Sequence, residues 1–483
     1  MSTSGITVTT ERGPVRGERR GDGSLRFLGI PYARAPVGGL RFAAPVPPEP
    51  WSEPLDALAY GPTAQRRPFA EVTTIPEPSV PGAGVLNLNV FTPDTAPAAA
   101  LPVLVWIHGG GYVAGSAASP WYDGAAFNRD GVVLVSIGYR LGIEGFLPLE
   151  DAPDNRGVRD WIAALEWVRD NIAAFGGDPA KVTIAGQSAG GGAVQTLLAV
   201  PAARGLFRGA LSVSGALPRP DGPGTARAVS RLLTSRTGVP ATAAALQDLG
   251  DDELLALQDR LAEPGPDREG LPSMPVLAPF ADGELIPVPA LDALTTGTAG
   301  ADVPLMLGFT AHEFTMVPPP GPEGPPLPAL LGGLGLDPAR TGAFTEAYAE
   351  VGAERFFGQA LTDATFRAPN LAVADARAAR GRPTWLYEFA WRSPVLGLAL
   401  HCLDLPFAFD LLDAEGVAAV AGEAPPRALA DALHRAWVAF VTHQDPGTAW
   451  PAYTSGTRAT MIWDTEPRIE ADPLDGVRTL WLD

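Results

Sequence analysis

The chain has 483 residues, 46% hydrophobic and 18% charged, and 35 basic against 54 acidic side chains give a formal charge of −19. That length suffices for a large core, and so acidic a body disfavours nucleic acid and anionic membrane surfaces as partners because both repel it. Cys402 is the single cysteine, which excludes a disulfide within the chain and any cysteine-rich metal site.

The opening MSTSGITVTTERGPVRG has no basic stretch leading into an apolar one, so no secretory signal is read there and the cytoplasm is the expected compartment. GIPYARAPVGGLRF then reads as a Gly/Pro-punctuated loop, and LNLNVFTP alternates apolar and polar residues as a half-buried strand does. LPVLVWI (101–107) and GVVLVSIGY (131–139) are near-continuous apolar runs, suited to parallel strands covered on both faces. Between 160 and 175, Trp161, Ala164, Leu165, Val168 and Ile172 fall at helical spacing, and GGDP closes the pattern as a stop.

Further strands are expected at 181–185, 209–216 and 303–309, with peripheral helices over 225–262. PPPGPEGPPLP (318–328) opens a Pro-rich, helical insertion of about 317–381 near the active-site mouth. TWLYEFAW returns as a strand, and ALADALHRAWVAFV carries Leu433, Trp437 and Phe440 on one helical face. Alternating β and α elements without an internal repeat imply an α/β chain, residues 1–483 forming one catalytic domain around a large, mostly parallel sheet with helices on both faces.

The chemistry centres on VTIAGQSAGGGAV (182–194), where a strand runs into Gly186-Gln187-Ser188-Ala189-Gly190 and then into small residues that open a helix. This Gly-x-Ser-x-Gly arrangement is a nucleophile elbow: the serine stands on a turn so sharp that side chains at the flanking positions would strike neighbouring backbone. Serine needs a base to take its proton. The sole lysine, Lys181, lies at the far end of the same strand, roughly 20 Å away at about 3.3 Å per residue, and is excluded.

Five histidines remain, His108, His312, His401, His434 and His443, and the chain order serine, acid, histidine restricts the base to the last three. His434 lies in an apolar-striped helix and His443 ends it, whereas His401 sits in GLALHCLDLPF beyond a strand end, where catalytic loops lie. The acid is assigned to Glu313, directly after the 303–309 strand, to hold one imidazole tautomer; His312 beside it reads as a structural neighbour. His108-Gly109-Gly110-Gly111-Tyr112 follows another strand, and its glycines free backbone N–H groups to face a developing oxyanion. Gly110, Gly111 and Ala189 are the candidate donors. A phosphate cradle of the GxxxxGK[ST] type requires a lysine that is absent.

With HGGGY, GQSAGG, an acid after a strand and a late histidine in this order, the sequence resembles the type-B carboxylesterases, bacterial relatives of the cholinesterases. GIPYARAPVGGLRF, LNLNVFTP, LVWIHGGGYVAGS, YRLGIEGFL, ALEWVRDNIAAFGGDPAKVTIAGQSAGG and HCLDLPFAF match family blocks in family order over nearly the whole chain. The resemblance implies the α/β-hydrolase fold and cleavage of carboxylic esters, short-chain or aryl, through an acyl-enzyme on Ser188, Glu313 and His401. It further implies support from Ser214 and Asp404 for an active-site hydrogen-bond network. No cofactor or metal is expected; the expected partner is a small-molecule ester, and the assembly a monomer or homodimer. An interfacial lipase and a non-catalytic cholinesterase-like binding protein are the alternative readings.

Departures from the family are specific. Gly82-Ala83-Gly84-Val85 stands where relatives carry an acidic pair and a cysteine, so the family's ion pair to Arg41 and its first disulfide are expected to be missing, and the anchoring of the 67–85 segment is left open. Gln187 replaces a common glutamate, removing a negative charge beside the nucleophile and disfavouring choline esters. Cys402 follows His401 where glycine is common and is expected to be a buried, inert thiol.

Overall fold

The computed structural model of the protein describes residues 5–68, 74–217, 222–265, 267, 277–321 and 324–483. Its strands are β1 (Gly5–Thr9), β2 (Pro14–Arg19), β3 (Leu25–Pro31), β4 (Leu55–Asp56), β5 (Asn87–Thr92), β6 (Leu101–Ile107), β7 (Val133–Ile137), β8 (Gly177–Gln187), β9 (Gly209–Val213), β10 (Leu305–Thr310), β11 (Thr384–Phe389), β12 (Ala459–Trp463) and β13 (Arg468–Ala471). They form one sheet in the order β1-β2-β3-β5-β7-β6-β8-β9-β10-β11-β12-β13, with β4 paired to β2. The run from β7 to β12 is parallel throughout and is flanked by antiparallel strands at both ends.

Alternation along the central strands divides the core between the two faces. On β6, Val103, Val105 and Ile107 join one hydrophobic cluster, while Leu104 and Trp106 point into the other. Both faces are covered because parallel strands require crossover connections, and helices supply them. The helix Arg156–Asn171 buries Trp161, Ala164, Leu165 and Val168, passes into a 3₁₀ turn at Ile172–Phe175, and stops at Gly176, whose φ of 79° suits glycine. The helix Arg427–His443 buries Leu433, Trp437 and Phe440 on the opposite face.

Two expectations need correction. β5 is buried along its whole length rather than half-buried. Its polar side chains are tolerated because they are hydrogen-bonded: Asn87 Nδ2 donates to the carbonyls of Pro62 and Gly84, and Asn89 Nδ2 to Ser136 Oγ and Ala117 O. β8 begins at Gly177, not at 181, because Gly177 already pairs with Leu101 of β6.

Peripheral helices occupy Pro223–Thr237, Ala243–Leu246 and Asp251–Ala262. Between β10 and β11 come the helices Leu327–Gly333, Thr341–Ala347, Phe356–Thr362 and Ala368–Ala379; residues 322 and 323 of the Pro-rich connection lie outside the described residues. Arg41 is ion-paired from elsewhere in the chain: its Nε donates to Glu144 at 2.6 Å, its Nη2 approaches Asp251 at 3.4 Å, and its Nη1 reaches the Leu249 carbonyl. Without a disulfide, the ends of the 67–85 segment are tied by polar contacts. Gln65 Nε2 donates to Glu77 O, Thr63 Oγ1 accepts from Val80 N, and Arg67 pairs with Asp259; residues 69–73 lie outside the described residues.

Candidate active site

The residues singled out above collect at one edge of the sheet, because the strands that precede them run parallel. His108 follows β6, Ser188 follows β8, Ser214 follows β9, Glu313 follows β10, and His401 lies in the loop after β11. Lys181 sits toward the other end of β8, where its Nζ donates to Ala100 O.

Ser188 is held at φ 58°, ψ −120°, a left-handed conformation that costs a non-glycine residue of order 1–3 kcal/mol, and caps the helix Ala189–Ala199. The flanking glycines make the turn possible. A Cβ at Gly190 would overlap Ile107 O, and one at Gly186 would lie 2.5 Å from Gly190 C and 2.7 Å from Ile107 O. Ser188 N–H donates to Val213 O at 2.9 Å, fastening the turn to β9.

His401 Nδ1 is hydrogen-bonded to Glu313 Oε2, and the carboxylate is fixed in turn by Thr310 N–H, which donates to Oε1 at 2.7 Å. Glu313 is 2% exposed. Burial opposes the charged imidazolium, yet the Glu313 carboxylate hydrogen-bonded to Nδ1 outweighs it and holds the His401 pKa above the ordinary histidine value. Among the described residues, His401 Nε2 meets Gln187 Nε2 at 3.0 Å, and Ser188 Oγ makes no hydrogen bond to His401.

In the loop after β6, Gly110 has φ 106° and Gly111 φ 60°. A Cβ at Gly110 would overlap the Ala114 carbonyl. Gly110 O accepts from Val113 and Ala114 N–H, whereas the N–H groups of Gly110, Gly111 and Ala189 have no acceptor among the described residues. His108 is buried, its Nδ1 2.8 Å from Gly109 O and its ring stacked on Tyr139 at 4.5 Å; burial pulls its pKa down to about 4.

Asp404 is completely buried. Tyr387 OH donates to its Oδ2 at 3.0 Å, Oδ1 has no partner among the described residues, and burial with the nearby Glu313 charge pushes its pKa up to about 7. Ser214 has φ 45° and a buried Oγ without a partner among the described residues. Neither residue hydrogen-bonds to Glu313 or His401 directly. His312 accepts from Ala399 N–H at 3.3 Å and its pKa is lowered to about 4, chiefly by burial; His434 bonds to Ala408 O and Asp130. Cys402 is buried, and burial raises its thiol pKa.

Sequence reasoning treated Gln187 only as a lost charge and missed its contact with the His401 ring. It also missed Tyr387, Phe314 and Phe366, the last two each 5.0 Å from that ring. No local pattern signals these contacts, since each depends on how separate segments face one another.

The described residues contain no helix long and apolar enough to cross a membrane and no group of three His, Cys, Asp or Glu side chains arranged to hold a metal. The model of the carboxylesterase family matches residues 4–323 and 346–477. The para-nitrobenzyl esterase of Bacillus subtilis (strain 168) is 37% identical, with 96% of each chain covered, and carboxylesterase 1D of Rattus norvegicus is 35% identical over 76% of this chain and 71% of the relative. A solved structure titled PNB esterase superposes with a TM-score of 0.82 at 34% identity, covering 99% of both chains. The serine turn, the acid–histidine pair and the glycine loop at the edge of a largely parallel sheet thus stand in a chain that belongs to the carboxylesterase family, an α/β-hydrolase that cleaves carboxylic esters.

Proposed function

We propose that this ester hydrolase works through an acyl-enzyme on Ser188. His401 Nε2 takes the hydroxyl proton as Ser188 Oγ attacks the ester carbonyl, Glu313 stabilises the imidazolium, and the oxyanion is received by the N–H groups of Gly110, Gly111 and Ala189. The proton passes from His401 to the departing alcohol. Water, activated by the same base, then attacks the acyl-enzyme, and the acid is released. Asp404 and Ser214 support the network behind Glu313.

The observation that carries this reading is the coincidence, at one sheet edge, of a strained Ser188 at a helix N-terminus with the buried Glu313–His401 pair. Three backbone N–H groups left without acceptors support the oxyanion assignment. Short-chain or aryl esters are the proposed substrates; a relative is named for a para-nitrobenzyl ester, whose alcohol likewise carries an aromatic ring. A monomer or homodimer in the cytoplasm, with no nucleic-acid or membrane partner and residues 1–483 acting as one catalytic domain with the 317–381 insertion, completes the proposal.

Incubation with a fluorophosphonate probe, followed by mass-spectrometric mapping, tests it alongside a p-nitrophenyl ester chain-length series. Labelling at Ser188, and loss of turnover in a folded Ser188→Ala protein, is the expected result. Label on another residue, or turnover within a few fold of wild type in the variant, overturns the assignment.

A further inference from the structure

His401 sits in a stretch without regular structure, after β11 and before the short helix Leu405–Ala408. Glu313 holds one ring nitrogen and Gln187 meets the other, but both contacts lie at the ring's rim and leave its faces to be packed. Two aromatic side chains meet the ring. Phe314 and Phe366 each lie 5.0 Å from the imidazole centroid, at interplanar angles of 61° and 41°, and 4.9 Å from one another at 85°. These are the tilted and edge-to-face geometries that attract aromatic rings.

Phe366 reaches this position through an uncommon backbone feature. The helical run from Phe356 to Ala379 is interrupted by a π turn at Asp363–Arg367, in which Ala368 N–H bonds to Asp363 O five residues back. Pro369 has no N–H to offer the preceding turn, which favours the wider loop. Each helical residue advances about 100° around the axis, so returning this turn to α geometry would swing Phe366 away from His401.

A buried polar cluster holds the π turn in place. Arg367 Nη1 donates to Asp363 Oδ1 and Nη2 to Glu388 Oε1 of β11, both at 2.9 Å, while Tyr348 OH and Trp481 Nε1 donate to Asp363 Oδ2. Asp363 is completely buried and Phe366 is 1% exposed.

We propose that Phe366, set by the π turn and seconded by Phe314, is a positioning residue for the base. The two rings lock the imidazole plane and exclude water from the Nδ1–H···Glu313 bond. This inference rests on the reading of His401 as the base.

The test compares wild type with Phe366→Ala, Phe366→Leu, Phe314→Ala and His401→Gln, each checked for a cooperative thermal melt, by pH profiles of kcat and KM on p-nitrophenyl acetate. Phe366→Ala is expected to lower kcat about tenfold with little change in KM. Its acid limb should move to higher pH by about half a unit or more, because admitted water solvates the imidazolium. Phe366→Leu, which keeps most of the apolar volume, should return most of both. A folded Phe366→Ala with wild-type kcat and acid limb, or one in which KM rises and the limb stays put, overturns the positioning role. Should Phe366→Ala not fold, Phe314→Ala, which uncovers the same imidazole ring from a partly buried position, decides by the same criteria. A His401→Gln protein with wild-type turnover overturns the base assignment itself, so the two failures are distinct.

Discussion

The amide Nε2 of Gln187 lies 3.0 Å from Nε2 of His401, the atom proposed to take the Ser188 proton. With Nδ1–H donating to Glu313, the neutral ring offers a lone pair at Nε2 and Gln187 donates into it. Once the ring is protonated, the amide must turn to present Oε1.

A carboxylate at this position serves the protonated ring alone. Gln187→Glu is therefore expected to raise the His401 pKa further and move the acid limb of kcat/KM to higher pH, since an opposite charge within about 4 Å favours the charged form. A pH–rate profile of the variant checks this; a limb that stays in place contradicts it.

In the wild type, activity should fall as pH drops through the His401 pKa, which lies above 6.5 because the Glu313 carboxylate outweighs burial. The base is competent only when neutral, so kcat/KM rises toward alkaline pH. Glu313→Gln removes a charge that favours the imidazolium, and the limb should move to lower pH while kcat falls by about 10⁴.

Gly110 has φ 106° and no room for a Cβ beside Ala114. Gly110→Val is expected to lower kcat by roughly 10² or more, with a smaller effect on KM, because its N–H would turn from the oxyanion. Steady-state kinetics on one p-nitrophenyl ester suffices.

Asp404 makes a stability prediction. Its folded pKa of about 7 exceeds the ordinary carboxyl value of 3.8, so the native state retains a proton that the unfolded chain releases. The associated stability is fully present below the unfolded value and is lost as pH rises from about 4 to about 7. Asp404→Asn remains neutral throughout, so the variant's Tm relative to wild type should improve across that window. Parallel Tm–pH curves for the two proteins would contradict it.

Asp160 and Arg140 are both fully buried, joined by Nη2–Oδ1 at 2.7 Å and Nε–Oδ2 at 2.9 Å. Asp160→Ala leaves an uncompensated guanidinium in the core and should destabilise the fold by about 3–5 kcal/mol, measured by denaturant unfolding.

What could be read in the sequence was what is local. The serine turn, the HGGG loop and the position of Glu313 after a strand all announce themselves within a few residues, because a tight backbone demands glycine and a buried parallel strand demands an apolar run. β5 was misread because its buried asparagines find partners as far off as Pro62 and Ser136. The carboxylates that pair with Arg41 come from positions 144 and 251, and the rings around His401 from 314 and 366. Such pairings depend on tertiary register, which no short window contains.

Because Ser188, Glu313 and His401 hang from the ends of β8, β10 and β11, the site spans 214 positions from Gln187 to His401. Loop closure over such distances comes late in folding. No nascent chain released before β11 has joined the sheet possesses an acid–base pair, so ester turnover reports completed assembly of the sheet. In a denaturation series, the same geometry makes activity sensitive to detachment of the β10–β13 end of the sheet even while the strands from β5 to β9 remain paired.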